Sequence, residues 1–179
     1  QLLNSSKLGE SLGVSHTTLR SYIDLLTQTF MVRTLEPYEA NIKKRLVKSP
    51  KIYIRDTGIL HCLLKIETSD DLLGHPIFGN SWEAFVVENI LTVFSDWDAA
   101  FYRTQAGAEM DLVLTKGRKK IGVEIKASTA PKITKGFWNS IKDLQLEKVF
   151  IVAPIKDQYP IEKNVTVTSL DLFLDDELP

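Results

Sequence analysis

A single cysteine, Cys62, leaves no partner for an internal disulfide, and the chain fits a reducing compartment. Cys62 lies in the apolar run 59–64, where a buried, inert thiol is expected. Histidine is nearly as scarce: His61 and His75 have no partner at metal-ligand spacing, and His16 reads as a surface residue. No apolar run approaches the roughly 18 residues that span a bilayer, so no membrane partner is expected. The start, Gln1-Leu2-Leu3, lacks the basic region and long apolar stretch of a secretory signal, and the expected location is the cytoplasm. It also lacks an initiator methionine and opens inside a helical pattern, so the chain is expected to be part of a longer protein. There is no internal repeat and no low-complexity segment.

What the chain does have is ordinary for a globular protein: 179 residues, 44% of them hydrophobic. The charge is unevenly placed. Residues 1–65 hold 10 Lys/Arg against 5 Asp/Glu, a net of +5, and residues 66–179 hold 12 against 18, a net of −6. Two modules are expected, with nucleic acid a partner for the first.

In the first module, residues 1–65, a short helix over 7–12 ends at Gly13, and Ser15 caps a longer helix. Leu19, Tyr22, Ile23, Leu26 and Phe30 recur at helical spacing and are expected to form its buried face. This is a helix-turn-helix pattern. Residues 31–35 and 44–47 read as strands joined by a proline-containing loop, which makes a wing, and 52–54 is a third extended run. Read functionally, Thr17, Thr18, Arg20 and Ser21 lie near a major groove, with Lys43, Lys44, Arg45 and Lys48 on phosphates. A protein-docking module with solvated lysines fits the same pattern. Asp56 caps a further helix to about residue 64, and 66–80 reads as a linker.

The second module, residues 81–179, starts with Ser81 as N-cap and Glu83 in the first helical turn. Strands over 99–104, 110–114 and 121–125, a helix over 135–146 and a strand over 149–153 follow. That order suggests a central sheet flanked by helices. A two-residue type II′ turn at Gly117-Arg118 pairs Lys116 with Lys119, so Asp111 faces Glu124 and Glu109 faces Lys126. With strict alternation these four share one strand face, and Met110, Leu112, Leu114, Ile121, Val123 and Ile125 share the other. Opposed carboxylates repel unless positive charge lies between them. A hard divalent cation with oxygen ligands would supply it. An exposed face with a Glu109–Lys126 salt bridge is the alternative, and spacing alone favours that alternative. Residues 130–135 read as a loop at the site mouth, and the acidic stretch 170–179 as a short cap or frayed end.

The stretch Ala108-Glu109-Met110-Asp111-Leu112-Val113-Leu114, followed by Val123-Glu124-Ile125-Lys126, resembles the signature of the PD-(D/E)XK nuclease superfamily. Ser81-Trp82-Glu83-Ala84-Phe85-Val86 resembles its first core helix. Asn41-Ile42-Lys43-Lys44-Arg45-Leu46-Val47-Lys48-Ser49-Pro50-Lys51 and Arg55-Asp56-Thr57-Gly58-Ile59-Leu60-His61 are similar to one prokaryotic family of predicted AAA+ ATPases. So are Leu73-Gly74-His75-Pro76 and Tyr102-Arg103-Thr104. In that family a P-loop domain precedes a winged helix and a nuclease-like domain of unknown function. The resemblance implies an α/β (overall α+β) fold, a winged helix-turn-helix followed by a restriction-endonuclease-like domain with a central mixed sheet flanked by helices. It also implies Mg²⁺ (or Mn²⁺) held by Asp111, Glu124 and Glu83, Lys126 as the charge-stabilising or water-orienting group, DNA as substrate, and an ATPase domain of the same parent chain as partner. This chain has no G-x-x-x-x-G-K-[ST] loop, so ATP would bind only in that other domain. A non-catalytic module that targets the ATPase to DNA or protein is the alternative.

Overall fold

The computed structural model describes residues 2–39 and 44–175. Its opening elements are set by local chemistry. Asn4 accepts from Lys7 N–H and starts α1 (Ser5–Leu12), which ends at Gly13 with φ +65°. A side chain is strained at that φ, which favours glycine. Ser15 accepts from Thr18 N–H to cap α2 (His16–Gln28), and Asp56 accepts from the Gly58 and Ile59 amides to cap α3 (Thr57–Leu63).

Several expectations for this region are corrected. Strand β1 (Val32–Leu35) pairs antiparallel with β2 (Lys51–Ile54), from Val32↔Ile54 to Leu35↔Lys51, and not with 44–47. Residues 45–47 run along another strand instead, as shown below, because two backbone edges needed partners and the loop satisfies the second. Of the expected buried face of α2, only Leu19 is fully buried; Tyr22, Leu26 and Phe30 are exposed. The helix packs chiefly on α1 and β1. Phe30 turns the chain at φ +61°, with its ring under the Arg55 guanidinium at 5.4 Å. Cys62 is exposed, on a helix in which no residue is fully buried. The 66–80 stretch is not simply a linker. Thr68 and Asp71 form a reciprocal capping box for α4 (Ser69–Gly74), and α5 (Phe78–Val93) already begins before Ser81. Ser81 therefore caps nothing; its buried hydroxyl meets His61 Nε2 at 2.7 Å.

The main sheet is mixed and six-stranded: β3 (Asp98–Arg103), β4 (Glu109–Lys116), β5 (Lys119–Ile125), β6 (Lys148–Val152), β8 (Val165–Thr168) and β7 (Tyr159–Glu162), in that spatial order. β3, β4 and β5 form an antiparallel meander, while β6 joins β5 and β8 joins β6 in parallel. Helix α6 (Lys135–Leu144) makes the crossover between β5 and β6. Together with the small β1–β2 sheet this is an α+β fold with a mixed sheet flanked by helices. The β7–β8 hairpin is an element that the sequence pattern does not announce. Residues 170–175, expected as a cap or frayed end, form α7 (Leu170–Asp175), whose Leu170 and Phe173 are buried. No helix among the described residues is long and apolar enough to cross a membrane.

Two apolar layers cover the sheet. Val86, Val87 and Ile90 of α5 pack with Leu112, Leu114, Val123, Phe150 and Phe173. On the other face Phe137 and Leu144 of α6 pack with Tyr102, Val113, Val149 and Ile151. The outer edge of β3 is closed by the first segment. Tyr38 N–H donates to Phe101 O and Phe101 N–H to Glu36 O, and Val47 N–H donates to Arg103 O. A strand edge left open invites pairing with another chain, so this cover has a clear physical role.

One close approach gives a stability prediction. A Cβ at Gly136 would lie 2.2 Å from the backbone oxygen of Gly107, which cannot rotate away. Gly136→Ala is expected to lose about 1–3 kcal/mol by displacing the start of α6. Urea denaturation of the two proteins checks this.

Candidate active site

The β4–β5 hairpin builds the site. Gly117 has φ +62° and Arg118 does not have a positive φ, as a type II′ turn requires. The register runs from Lys116↔Lys119 to Leu112↔Val123, as the turn dictates. At the far end the ladder changes. The β3–β4 register shifts between Ala100 and Tyr102, and Ile125 N–H donates to Asp111 Oδ2 at 3.0 Å. A bulge of this kind re-aims side chains. Strict alternation therefore fails here: Met110 packs with Val113 and Tyr102 on the α6 side, apart from Leu112 and Leu114.

Asp111 and Glu124 are both buried, at 8% and 5% exposure. The other oxygen of Asp111, Oδ1, accepts from Lys51 Nζ at 2.9 Å. The same ammonium donates to Glu83 Oε1 at 2.8 Å and lies 3.6 Å from Glu109 Oε1. Tyr53, two residues along β2, donates its hydroxyl to Glu83 Oε1 at 2.7 Å. Lys126 Nζ donates to Glu124 Oε1 at 2.6 Å, while Glu124 Oε2 is buried with no hydrogen-bond partner. The expected Glu109–Lys126 pair is thus replaced: Glu109 faces Lys51 and Arg103, and Lys126 holds Glu124. The bulge rotates Glu109 away from its nominal partner.

The electrostatics follow from this crowding. Burial and the neighbouring Asp111 charge push the Glu124 carboxyl up to about 8, against the pull of Lys126. Burial alone would lower the Lys51 ammonium, but the charges of Asp111 and Glu83 outweigh it and hold it well above the usual lysine range. For Lys126, too, burial opposes the charge and Glu124 overrides it, so its affinity for the proton is raised. The Tyr53 hydroxyl is raised, chiefly by burial.

Glu83 and Asp111 are therefore joined through Lys51, and Glu124 is joined to Lys126 beside them. Among the described residues, no three His, Cys, Asp or Glu side chains converge as a preformed metal cage. An ammonium stands between two of the carboxylates instead. Lys51 and Tyr53 are site residues that the sequence reasoning does not single out. The available signal was the Lys51-Ile52-Tyr53-Ile54 alternation, which places Lys51 and Tyr53 on one face.

The residues expected to contact DNA lie elsewhere. Thr17 and Arg20 are exposed on α2, Thr18 Oγ1 meets the capping Ser15 hydroxyl at 2.9 Å, and Ser21 Oγ donates to Thr17 O. Lys44 pairs with Asp143 at 2.6 Å, the Arg45 carbonyl accepts from Gln105 N–H, and Lys48 is exposed. Lys43 lies outside the described residues.

A second ionic cluster fixes the first segment to α5. Glu88 accepts from Arg33 Nε at 2.6 Å and from Arg55 Nε at 2.7 Å. Burial opposes its ionisation, but the two guanidinium groups hold its carboxyl below the usual range. Glu88→Ala leaves two half-buried cations without their acceptor and is expected to cost about 1–3 kcal/mol at neutral pH. The lowered carboxyl means that this contribution fades as pH falls below the ordinary glutamate range, so the wild-type and variant denaturation midpoints should converge in acid.

Residues 78–173, more than half of the chain, match the family described as Domain of unknown function (DUF4143), and residues 1–70 match Domain of unknown function (DUF8612). Uncharacterized proteins of Mycobacterium tuberculosis and Mycobacterium bovis are each 40% identical to the chain over 174 residues. The match covers 97% of this chain and 40% of each relative, so the chain spans about 40% of the length of these curated relatives. No solved structure matches the chain.

Proposed function

The chain belongs to the DUF4143 family, and from the site just described we propose that it carries a nuclease-type centre for Mg²⁺- (or Mn²⁺-) dependent hydrolysis of DNA phosphodiesters. The observation that carries this reading is the buried Glu124 Oε2, which has no partner and lies within electrostatic reach of Asp111. A buried carboxylate oxygen left without a donor is costly, and a hard cation with oxygen ligands relieves that cost. The donor set fits Mg²⁺, which takes one or two carboxylates and completes its shell with water and phosphate oxygens. Asp111 and Glu124 would hold it, with Glu83 nearby as a further ligand or a base.

Such a cation, when bound, supplies charge stabilisation for the phosphate and a water of lowered pKa. The chain's own groups do the rest. The Asp111 carboxylate is anchored by the Ile125 amide. Lys126, beside Glu124, is placed to stabilise negative charge building on the phosphate oxygens. The first segment, basic overall, would bind the DNA backbone through Arg45, Lys48 and the exposed face of α2. In the longer parent protein an AAA+ ATPase domain would precede it, acting in the cytoplasm.

A second reading is favoured by the Lys51 contacts, which satisfy Glu83 and Asp111 without any metal. In it the chain is a non-catalytic module that targets its parent to DNA or protein. Incubation with supercoiled plasmid and Mg²⁺ or Mn²⁺ separates the two. The nuclease reading expects nicked or linear product, with Asp111→Asn and Glu124→Gln slower by about a hundredfold or more. No product, or variants that cut like wild type, sinks it. The second reading then expects salt-dependent DNA binding that survives these changes and falls when Lys43, Lys44 and Arg45 are neutralised.

A further inference from the structure

We propose that Lys51 is a resident counter-ion of the carboxylate site, its ammonium held by Glu83 and Asp111 with Glu109 close by, so that a divalent cation drawn to Asp111 and Glu124 binds only when that ammonium leaves. The inference rests on the reading of Asp111 and Glu124 as cation ligands and adds a residue from the other sequence segment that controls them.

Three carboxylate oxygens surround one ammonium, at 2.8 Å, 2.9 Å and 3.6 Å, in a site where Lys51 is 4% exposed. The ammonium therefore neutralises the same carboxylate, Asp111, that a hard cation with oxygen ligands would use. Glu124 adds the independent sign, since its Oε2 is buried without a partner and feels both Asp111 and Glu109. Lys51 satisfies the Glu83–Asp111 side of the cluster and leaves the Glu124 side open.

Where Lys51 comes from matters as much as what it touches. It belongs to β2, not to the hairpin that carries Asp111 and Glu124. Its backbone is held by Leu35 on one side and bridged to Leu2 on the other. Its side chain lies 5.6 Å from the Phe101 ring. A shift of β2, or a swing of this one side chain, therefore exposes the carboxylates together. Two positive charges a few ångströms apart repel strongly in a partly buried site, so ammonium and metal exclude one another.

Ca²⁺ serves as the probe because it takes oxygen ligands and its binding is read directly by calorimetry. Lys51→Met keeps the apolar stem and removes the charge; it is expected to bind Ca²⁺ about tenfold or more tightly than wild type. Lys51→Arg keeps the charge and should bind no more tightly than wild type. Should the methionine variant fail to fold, amine acylation of the wild-type protein with mass-spectrometric readout decides the matter. Lys51 labelling is expected to rise on adding saturating Ca²⁺. Equal or weaker Ca²⁺ binding by folded Lys51→Met, or Lys51 equally protected with and without Ca²⁺, overturns the proposal. Cleavage is a separate outcome. Tighter Ca²⁺ binding without any plasmid cutting upholds the counter-ion and defeats the nuclease reading, and Mg²⁺-dependent cutting with unchanged Ca²⁺ affinity does the reverse.

Discussion

Lys51→Ala is expected to lower the stability of the metal-free protein by about 3–5 kcal/mol at pH 7, the range for removing one partner of a buried ion pair. The figure follows from what is left behind. Glu83 and Asp111 would lose their shared ammonium in a site where their side chains are only 19% and 12% exposed. Glu83 would retain the Tyr53 hydroxyl and Asp111 the Ile125 amide, but neither would have a cation hydrogen-bonded to it. The raised proton affinity of Lys51 sets the sign. Its charge contributes to stability throughout the pH range below the ordinary lysine value, and the contribution is lost only in strong alkali. The loss should therefore be undiminished at neutral pH. Denaturant unfolding of both proteins at fixed ionic strength measures it, and a difference below about 1 kcal/mol would mean that the ammonium does not hold these carboxylates in place. The size also matters for the fold, because β2 contributes few other buried side chains. Losing Lys51 should loosen the β1–β2 sheet before the six-stranded one, visible as faster amide exchange at residues 32–35 and 51–54.

That ordering reflects how unevenly the sequence spells out its own fold. The β4–β5 hairpin was legible because Gly117 fixes the turn, the turn fixes the register, and the register brings Asp111 toward Glu124. The caps at Ser15 and Asp56 act within three residues, so they too can be read locally. What could not be read depends on which distant backbone finds which. Residues 44–47 and 51–54 are both extended, and nothing within either says that the second pairs with β1 while the first closes the edge of β3. The apolar stripe of α2 announces a helix correctly, yet its spacing cannot say that only Leu19 will be covered. Met110 fails for a third reason. Alternation assumes an unbroken ladder, and the shift between Ala100 and Tyr102 is a tertiary accommodation at the site itself. The Val165-Thr166-Val167-Thr168 alternation is the local signal of β8. Lys51 is the costliest omission, since a lysine in a basic stretch reads as solvated until a fold supplies acids around it.

Glu124→Gln is expected to make the protein more stable in mild alkali, the opposite of what removing half of a salt bridge usually does. The folded state pushes this carboxyl from 4.5 up to about 8, through burial first and the Asp111 charge second. Between those two values the folded chain keeps a proton that the unfolded chain has released. Stability must then fall as pH rises across that window, and it is highest, for this group, below the unfolded value. At 1.36 kcal/mol per unit the ceiling is about 4–5 kcal/mol, with the pull of Lys126 at 2.6 Å already included in it. Glutamine keeps the shape and never ionises. The two proteins should therefore match near pH 5, with the variant ahead by about 2–4 kcal/mol at pH 9. Parallel pH profiles from urea unfolding would sink the argument. The same experiment with Mg²⁺ carries the test into function. A cation bound by Asp111 and Glu124 stabilises the ionised carboxylate, so it should restore the wild-type protein in alkali and do little for the glutamine variant. Restoration in both would move the cation to another site, and restoration in neither would leave Glu124 as a buried acid held neutral by its surroundings.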